Sequence, residues 1–212
     1  MQAAATRTPP GQPPAAGRTF IEAARRAQIV EAAIATIAES GYRHASFARI
    51  ARRAGLSSTG LISYHFAGRD ELIGEVVAKV VGEMGTFMAG RMAGLSSPPA
   101  ALRGYIEGTV EFIAGHRAGM KALLEIFMNG GFRYDAGSER AAVSPIEDVL
   151  RAGQRNGEFR AFDVTVMATL IQRAVDGLPF LLDAQPDVDA AGYGAEVATT
   201  FELATRAGPA AS

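Results

Sequence analysis

The densest run of small hydroxyl and ring side chains lies between Leu56 and Arg69: Ser57, Ser58, Thr59, Gly60, Ser63, Tyr64 and His65. Hydroxyls ahead of a helix supply capping oxygens and leave a surface without bulk, so backbone N–H groups and their partial positive charge can approach phosphate. Arg49, Arg52 and Arg53 upstream and Arg69 downstream surround that surface with guanidinium groups, which match phosphate oxygens. The indicated chemistry is polyanion binding. Catalysis finds little support. None of the three histidines, His44, His65 and His116, has a second His or a carboxylate at i+4 to share a metal. The absence of cysteine excludes disulfides, thiol nucleophiles and cysteine zinc sites. Neither a Gly-x-Ser-x-Gly elbow nor a phosphate loop occurs. Glu107 and Glu111, one helical turn apart, are more simply solvated or paired with Arg103. No catalytic residue, metal or cofactor is expected.

Positioning such a surface requires a scaffold, and the flanking residues spell one. Phe47, Ile50, Ala51 and Ala54 are apolar at i, i+3, i+4 and i+7, one face of a helix. Ser46 precedes them as an N-cap, and Gly55 follows where a residue without Cβ closes a helix cheaply. A second helix then buries Leu56, Ile62 and Phe66 and frees Ser58, Thr59, Ser63, Tyr64 and His65. Two short helices around a glycine turn make a helix-turn-helix.

At these residues the chain resembles the TetR family of one-component transcriptional regulators. The resemblance covers roughly residues 20 to 80. It runs through Gly41-Tyr42, Ser46, Ile50-Ala51, Ala54-Gly55-Leu56-Ser57, Gly60, His65-Phe66, Arg69, Glu71 and Leu72. Ala45 stands where the family usually has Thr, Ser63 occupies the frequent Tyr position beside Tyr64, and one extra residue lies between Ser57 and Gly60. The resemblance implies DNA contacts at the matching positions, a helical effector domain in the middle of the chain, and a C-terminal helix pair that forms a four-helix bundle with its copy in a homodimer.

Charge and periodicity agree with a two-part chain. The net charge of −1 conceals polarity: residues 1–70 hold nine Arg against four acids, a net +5, and the remainder nets −6. One end suits a polyanion and the other stays soluble. The Pro- and Ala-rich residues 1–18 contain no secretory apolar core and are expected to be a disordered arm. No uninterrupted apolar run is long enough to cross a bilayer, so the cytoplasm and no membrane partner are expected. Residues 19–68 are expected to form the DNA-binding domain, 69–207 a helical effector and dimerisation domain, and 208–212 a frayed tail.

Helices are predicted from Phe20 to Ser40, for about twenty residues after Asp70, then over 100–113, 117–128, 139–155, 163–183 and 187–206. Pro179 is expected to kink one of them. No stretch alternates with period two, so the fold class is all-α.

The middle helices combine Met84, Phe87, Met88, Met92, Tyr105, Phe112, His116, Met120, Phe127, Met128 and Phe132 with eight glycines. Each helix-interior Gly costs about 1 kcal/mol relative to Ala, so the glycines imply close helix crossings or an unfilled cavity. Met84, Phe87, Met88, Tyr105, Phe112, His116, Phe127 and Met128 are the candidate effector contacts, for an apolar or amphiphilic small molecule of unknown identity. Met167, Leu170, Ile171, Ala174, Leu178, Val197 and Phe201 are the candidate dimer contacts, with ordinary intrachain core as the alternative. The leading functional expectation is a dimeric repressor that binds an inverted-repeat operator in double-stranded DNA and is released by an effector. A DNA-binding scaffold without small-molecule sensing and a small helical enzyme are the alternatives.

Overall fold

The computed structural model describes residues 15–131 and 136–208. The expected arm up to residue 14, Phe132, and the tail from residue 209 lie outside the described residues. Ten α-helices and one 3₁₀ turn account for almost all the rest: α1 (Ala15–Ser40), the turn Tyr42–His44, α2 (Phe47–Arg53), α3 (Gly60–His65), α4 (Arg69–Met92), α5 (Pro98–Gly115), α6 (Arg117–Met128), α7 (Ala136–Arg155), α8 (Val164–Asp176), α9 (Leu178–Ala184) and α10 (Ala190–Thr205). Among the described residues the one β-type pairing is an isolated bridge between Phe159 and Arg206. The all-α reading holds.

Local chemistry sets most boundaries. Ser97, Asp163 and Asp189 cap α5, α8 and α10 by accepting the N–H groups of Ala100, Val166 and Gly192, and Pro98 fills the first position of α5, where no N–H is needed. Gly41 and Gly55 adopt φ of 80° and 64° at the ends of α1 and α2, the left-handed region that penalises any Cβ.

Two boundaries differ most from the sequence reading. Helix α1 starts at Ala15, five residues before Phe20, and its first turns project from the body, with Phe20 77% exposed and Ala24 and Ala27 outside the core. The apolar face that enters the core therefore begins only at Ile29. Pro179 does not kink one helix but starts a new one: the chain breaks at Gly177 into α8 and α9, because a proline ring tolerates only the first turn.

Two hydrophobic cores organise the helices. The first joins Ile29, Ile37, Ile50, Ile62, Phe66, Leu72 and Val76 with Ala122, Leu123 and Ile126 of α6. The second joins Leu102, Ile106, Val110, Ile146, Leu150, Ile171, Val175 and Leu178. Segment Val164–Ala184 is, among the described residues, the one long and apolar enough by composition to cross a membrane. Here Met167, Ile171, Val175 and Leu178 spend that apolarity on the second core.

Three of the eight mid-chain glycines lie at close contacts between segments. A Cβ on Gly108 would lie 2.8 Å from Arg91 Cγ and 3.2 Å from Met88 Sδ, and one on Gly104 would collide with Leu95, so α5 presses against the end of α4. One on Gly119 would meet Val80 at 3.3 Å, while Gly82, Gly85, Gly90, Gly94 and Gly115 have open space beside them. Gly153 sits against the buried ring of Phe159 and leaves no room for a methyl group. Gly153→Ala is expected to cost about 1–3 kcal/mol through overpacking, read as a lower urea midpoint at unchanged m-value. An unchanged midpoint would show that the ring moves freely.

Candidate nucleic-acid interface

The helix-turn-helix is built on buried apolar points. Ile50 and Ala51 of α2 and Ala54 at its C-cap are at most 5% exposed, and Ile62 of α3 and Phe66 at its C-cap are at most 1% exposed. Ser46 Oγ accepts the Arg49 N–H at 3.4 Å, and Leu56 N–H returns to the Ala51 carbonyl at 2.9 Å to close the turn. That anchoring turns Ser57, Ser58, Thr59, Gly60, Ser63 and Tyr64 outward, with Tyr64 73% exposed, while His65 is half-buried and meets the Tyr64 ring edge-on at 5.0 Å. Leu61, 38% exposed, joins this surface, although the sequence reading assigned it no role.

The hydroxyls do not cap α3, contrary to expectation. Thr59 holds the N-cap position with helical φ and ψ and makes no side-chain cap bond, so the run Ser57–Thr59 keeps its oxygens for other partners. With only six residues, α3 has little macrodipole. Side chains rather than a helix terminus must therefore carry any recognition.

The arginines divide into free and committed groups. Arg49 and Arg52 are exposed and make no side-chain hydrogen bond or ion pair among the described residues. With Thr36, Glu39, Ser40 and Arg53 they line a hollow of about 340 Å³ between α1 and α2. Arg53 is paired with Glu39. Arg69, expected at the phosphate backbone, instead donates to the carbonyls of Ala45 at 2.8 Å and Tyr42 at 2.5 Å and lies 4.5 Å over the Tyr42 ring. Its fork is occupied by the protein, because the start of α4 passes beneath the 3₁₀ turn.

Arg26 is engaged by the protein in the same sense. Its guanidinium lies 4.3 Å over the Phe66 ring, donates to the His65 carbonyl at the end of α3, and pairs with Glu71 at 3.1 Å and Glu75 at 2.9 Å. The Ala67 N–H, 2.6 Å from Glu71 Oε2, and then Arg26 hold the Glu71 carboxyl below its ordinary value. A carboxylate with a lowered folded-state pKa stabilises above its unfolded value, and that contribution is lost as pH falls through the lowered one. Between about pH 5 and pH 3 the native chain should therefore lose more thermal stability than Glu71→Gln, as followed by circular dichroism. Parallel losses would count against the carboxylate.

The effector and dimer candidates scatter. Phe112 stacks on His116 at 3.9 Å and meets Phe87 at 5.6 Å, beside an open groove whose other walls include Lys79, Gly82 and Glu83. Tyr105 is buried in the second core and donates to Gln172 Oε1 at 2.8 Å; burial, then Asp176, pushes its hydroxyl up to about 12. Met88 borders that core, Phe127 borders the first, Met84 is half-buried, and Met128 is 73% exposed, so the eight residues do not share one cavity. Of the dimer candidates, Met167, Ile171 and Leu178 are buried within the chain, which is the intrachain alternative. Ala174, Val197 and Phe201 are half-buried. Leu170 is 53% exposed, and Val166, Phe180 and Leu203, which are not among the dimer candidates, are each more than half exposed.

Known proteins share both the motif and the fold. Residues 29–76 match the model of the bacterial regulatory proteins of the tetR family. The HTH-type transcriptional regulator BetI of Cronobacter sakazakii is 32% identical over 162 residues, 75% of this chain and 76% of that protein. BetI 1 of Chromohalobacter salexigens is 36% identical over 101 residues, where the chain spans only 50% of the relative's length. Among solved structures, a TetR-family regulator from Rhodococcus sp. superposes with a TM-score of 0.73 at 21% identity over 85% of this chain and 98% of that one. The ketosteroid regulator KstR2 of Mycobacterium tuberculosis gives 0.71 at 21% identity, covering 87% and 96%. The exposed face on a buried Ile62–Phe66 footing, the helical body behind it and these matches agree, and the chain belongs to the tetR family of bacterial helix-turn-helix transcriptional regulators.

Proposed function

We propose that the protein binds an inverted-repeat operator as a homodimer in the cytoplasm and represses transcription until a small apolar or amphiphilic effector releases it. The observation that carries the DNA reading is the outward face of Ser57, Ser58, Thr59, Ser63 and Tyr64 on a rigid footing, flanked by Arg49 and Arg52 with unengaged guanidinium groups. Ser46, Arg49 and Arg52 hold the backbone, and Thr59, Ser63, Tyr64 and His65 read bases or adjacent phosphates. The exposed apolar residues of α8, α9 and α10 support pairing with a second copy. The effector class is supported by the Phe87–Phe112–His116 stack and by a structural relative, FadR from Bacillus subtilis, which was solved with stearoyl-CoA at a TM-score of 0.69 and 19% identity. Close packing at Gly104 and Gly108 favours a second reading, a regulator without a small-molecule effector. A thermal-shift screen with acyl-CoA and steroid panels separates the two: a saturable shift supports sensing, and none supports the scaffold.

Selection of genomic fragments with the purified protein, followed by footprinting, tests the main reading and should yield half-sites about one helical turn apart. On such a site, Arg52→Ala is expected to weaken all sequences alike and reduce the salt slope by about 1. Thr59→Ala should change base preference by about 1–3 kcal/mol at one position. Equal loss on specific and random DNA from Thr59→Ala would remove it from base readout.

A further inference from the structure

The start of the helix-turn-helix is held by a residue far downstream of the matched segment. Glu125, on the last turn of α6, accepts the Tyr42 N–H at 3.0 Å through Oε2 and receives Asn129 Nδ2 at 3.3 Å. A Cβ on Gly41 would lie 3.2 Å from that same oxygen, so the glycine both turns the chain and admits the carboxylate. Gly131, just beyond α6, presses on the Tyr42 ring so closely that any Cβ there would overlap it. From the other side, Arg69 stacks on Tyr42 and bonds the carbonyls of Tyr42 and Ala45. Ala45 is 1% exposed and directly precedes Ser46, the N-cap of α2. Tyr42 is thus clasped between the end of α6 and the start of α4, one residue run away from α2.

We propose that Glu125 is a positioning residue for operator recognition: its carboxylate fixes the Tyr42 turn, and through Arg69 and Ala45 it sets where α2 and α3 stand. The physical argument is one of populations. Without the acceptor, the turn samples other placements, and apparent operator affinity falls by the fraction of molecules in the competent one. Non-specific binding, which follows charge rather than register, does not require that fraction. This inference rests on the DNA-binding reading above.

The test compares Glu125→Ala with Glu125→Gln, two variants of equal charge that differ in whether an acceptor oxygen remains. Affinities are measured at one salt concentration for the selected operator and for random duplex, well below each variant's unfolding temperature. Glu125→Ala is expected to lower operator affinity about tenfold with random-duplex affinity unchanged, and Glu125→Gln should recover most of the loss. Lower melting temperature with an unchanged operator-to-random ratio would reduce Glu125 to a purely structural residue and overturn the proposal, as would a Gln variant as impaired as Ala. If the native protein binds no operator at all, the DNA-binding reading fails instead.

Discussion

Phe66→Ala is expected to lower the unfolding free energy by about 3–5 kcal/mol and to abolish operator binding near physiological temperature. The ring is 1% exposed, lies in the core that fixes α3, and carries the Arg26 guanidinium on its face. Truncation leaves a cavity among Ile62, Leu72 and the α1 face, and it removes the support of a guanidinium that closes α3 at the His65 carbonyl. The removed ring and the unsupported clasp act on one element, so their costs do not add independently. Chemical denaturation followed by circular dichroism checks the magnitude. A loss below about 1 kcal/mol would show that the site collapses around the smaller side chain and that Phe66 is not the footing of α3.

Leu170→Asp combined with Leu203→Asp is expected to give folded monomers whose operator affinity is about 10²–10⁴-fold weaker. Both side chains are more than half exposed on α8 and α10, so a charge there costs the isolated chain little. In an interface the same charge is desolvated without a partner, which costs far more. The affinity loss arises because each helix-turn-helix must then find its half-site alone. Light scattering gives the mass, and titration of full and half operators gives the affinity. Dimers that survive both aspartates would put the interface elsewhere. By contrast, Ile171→Asp introduces a charge at a 0% exposed position and should unfold the chain whether or not it dimerises.

The residues that were legible in sequence are those whose role is local. Gly55 and Leu56 announce a turn, and Phe47, Ile50 and Ala54 announce a face, because helical periodicity and left-handed closure act within a few residues. Ser46 follows the same rule as the cap of α2. Where the sequence carried no signal, the deciding partner was distant. Arg69 looks like any free arginine until Tyr42 and Ala45 are folded against it. Met167, Ile171 and Leu178 share a stripe with Leu170, and only packing against α5 and α7 tells which part of a broad apolar stripe is inside. Glu125 carries no local mark at all, since its meaning lies with a backbone N–H more than eighty residues earlier.

From sequence alone came the all-α class, the helix-turn-helix and the outward set of hydroxyls, since short-range periodicity, turn chemistry and side-chain size suffice for them. Tertiary structure alone decided which arginines remain unengaged, which apolar residues stay outside, and that α6 completes the core of the helix-turn-helix. Those outcomes depend on which surfaces meet after the chain has closed long loops, and no spacing along the chain encodes that.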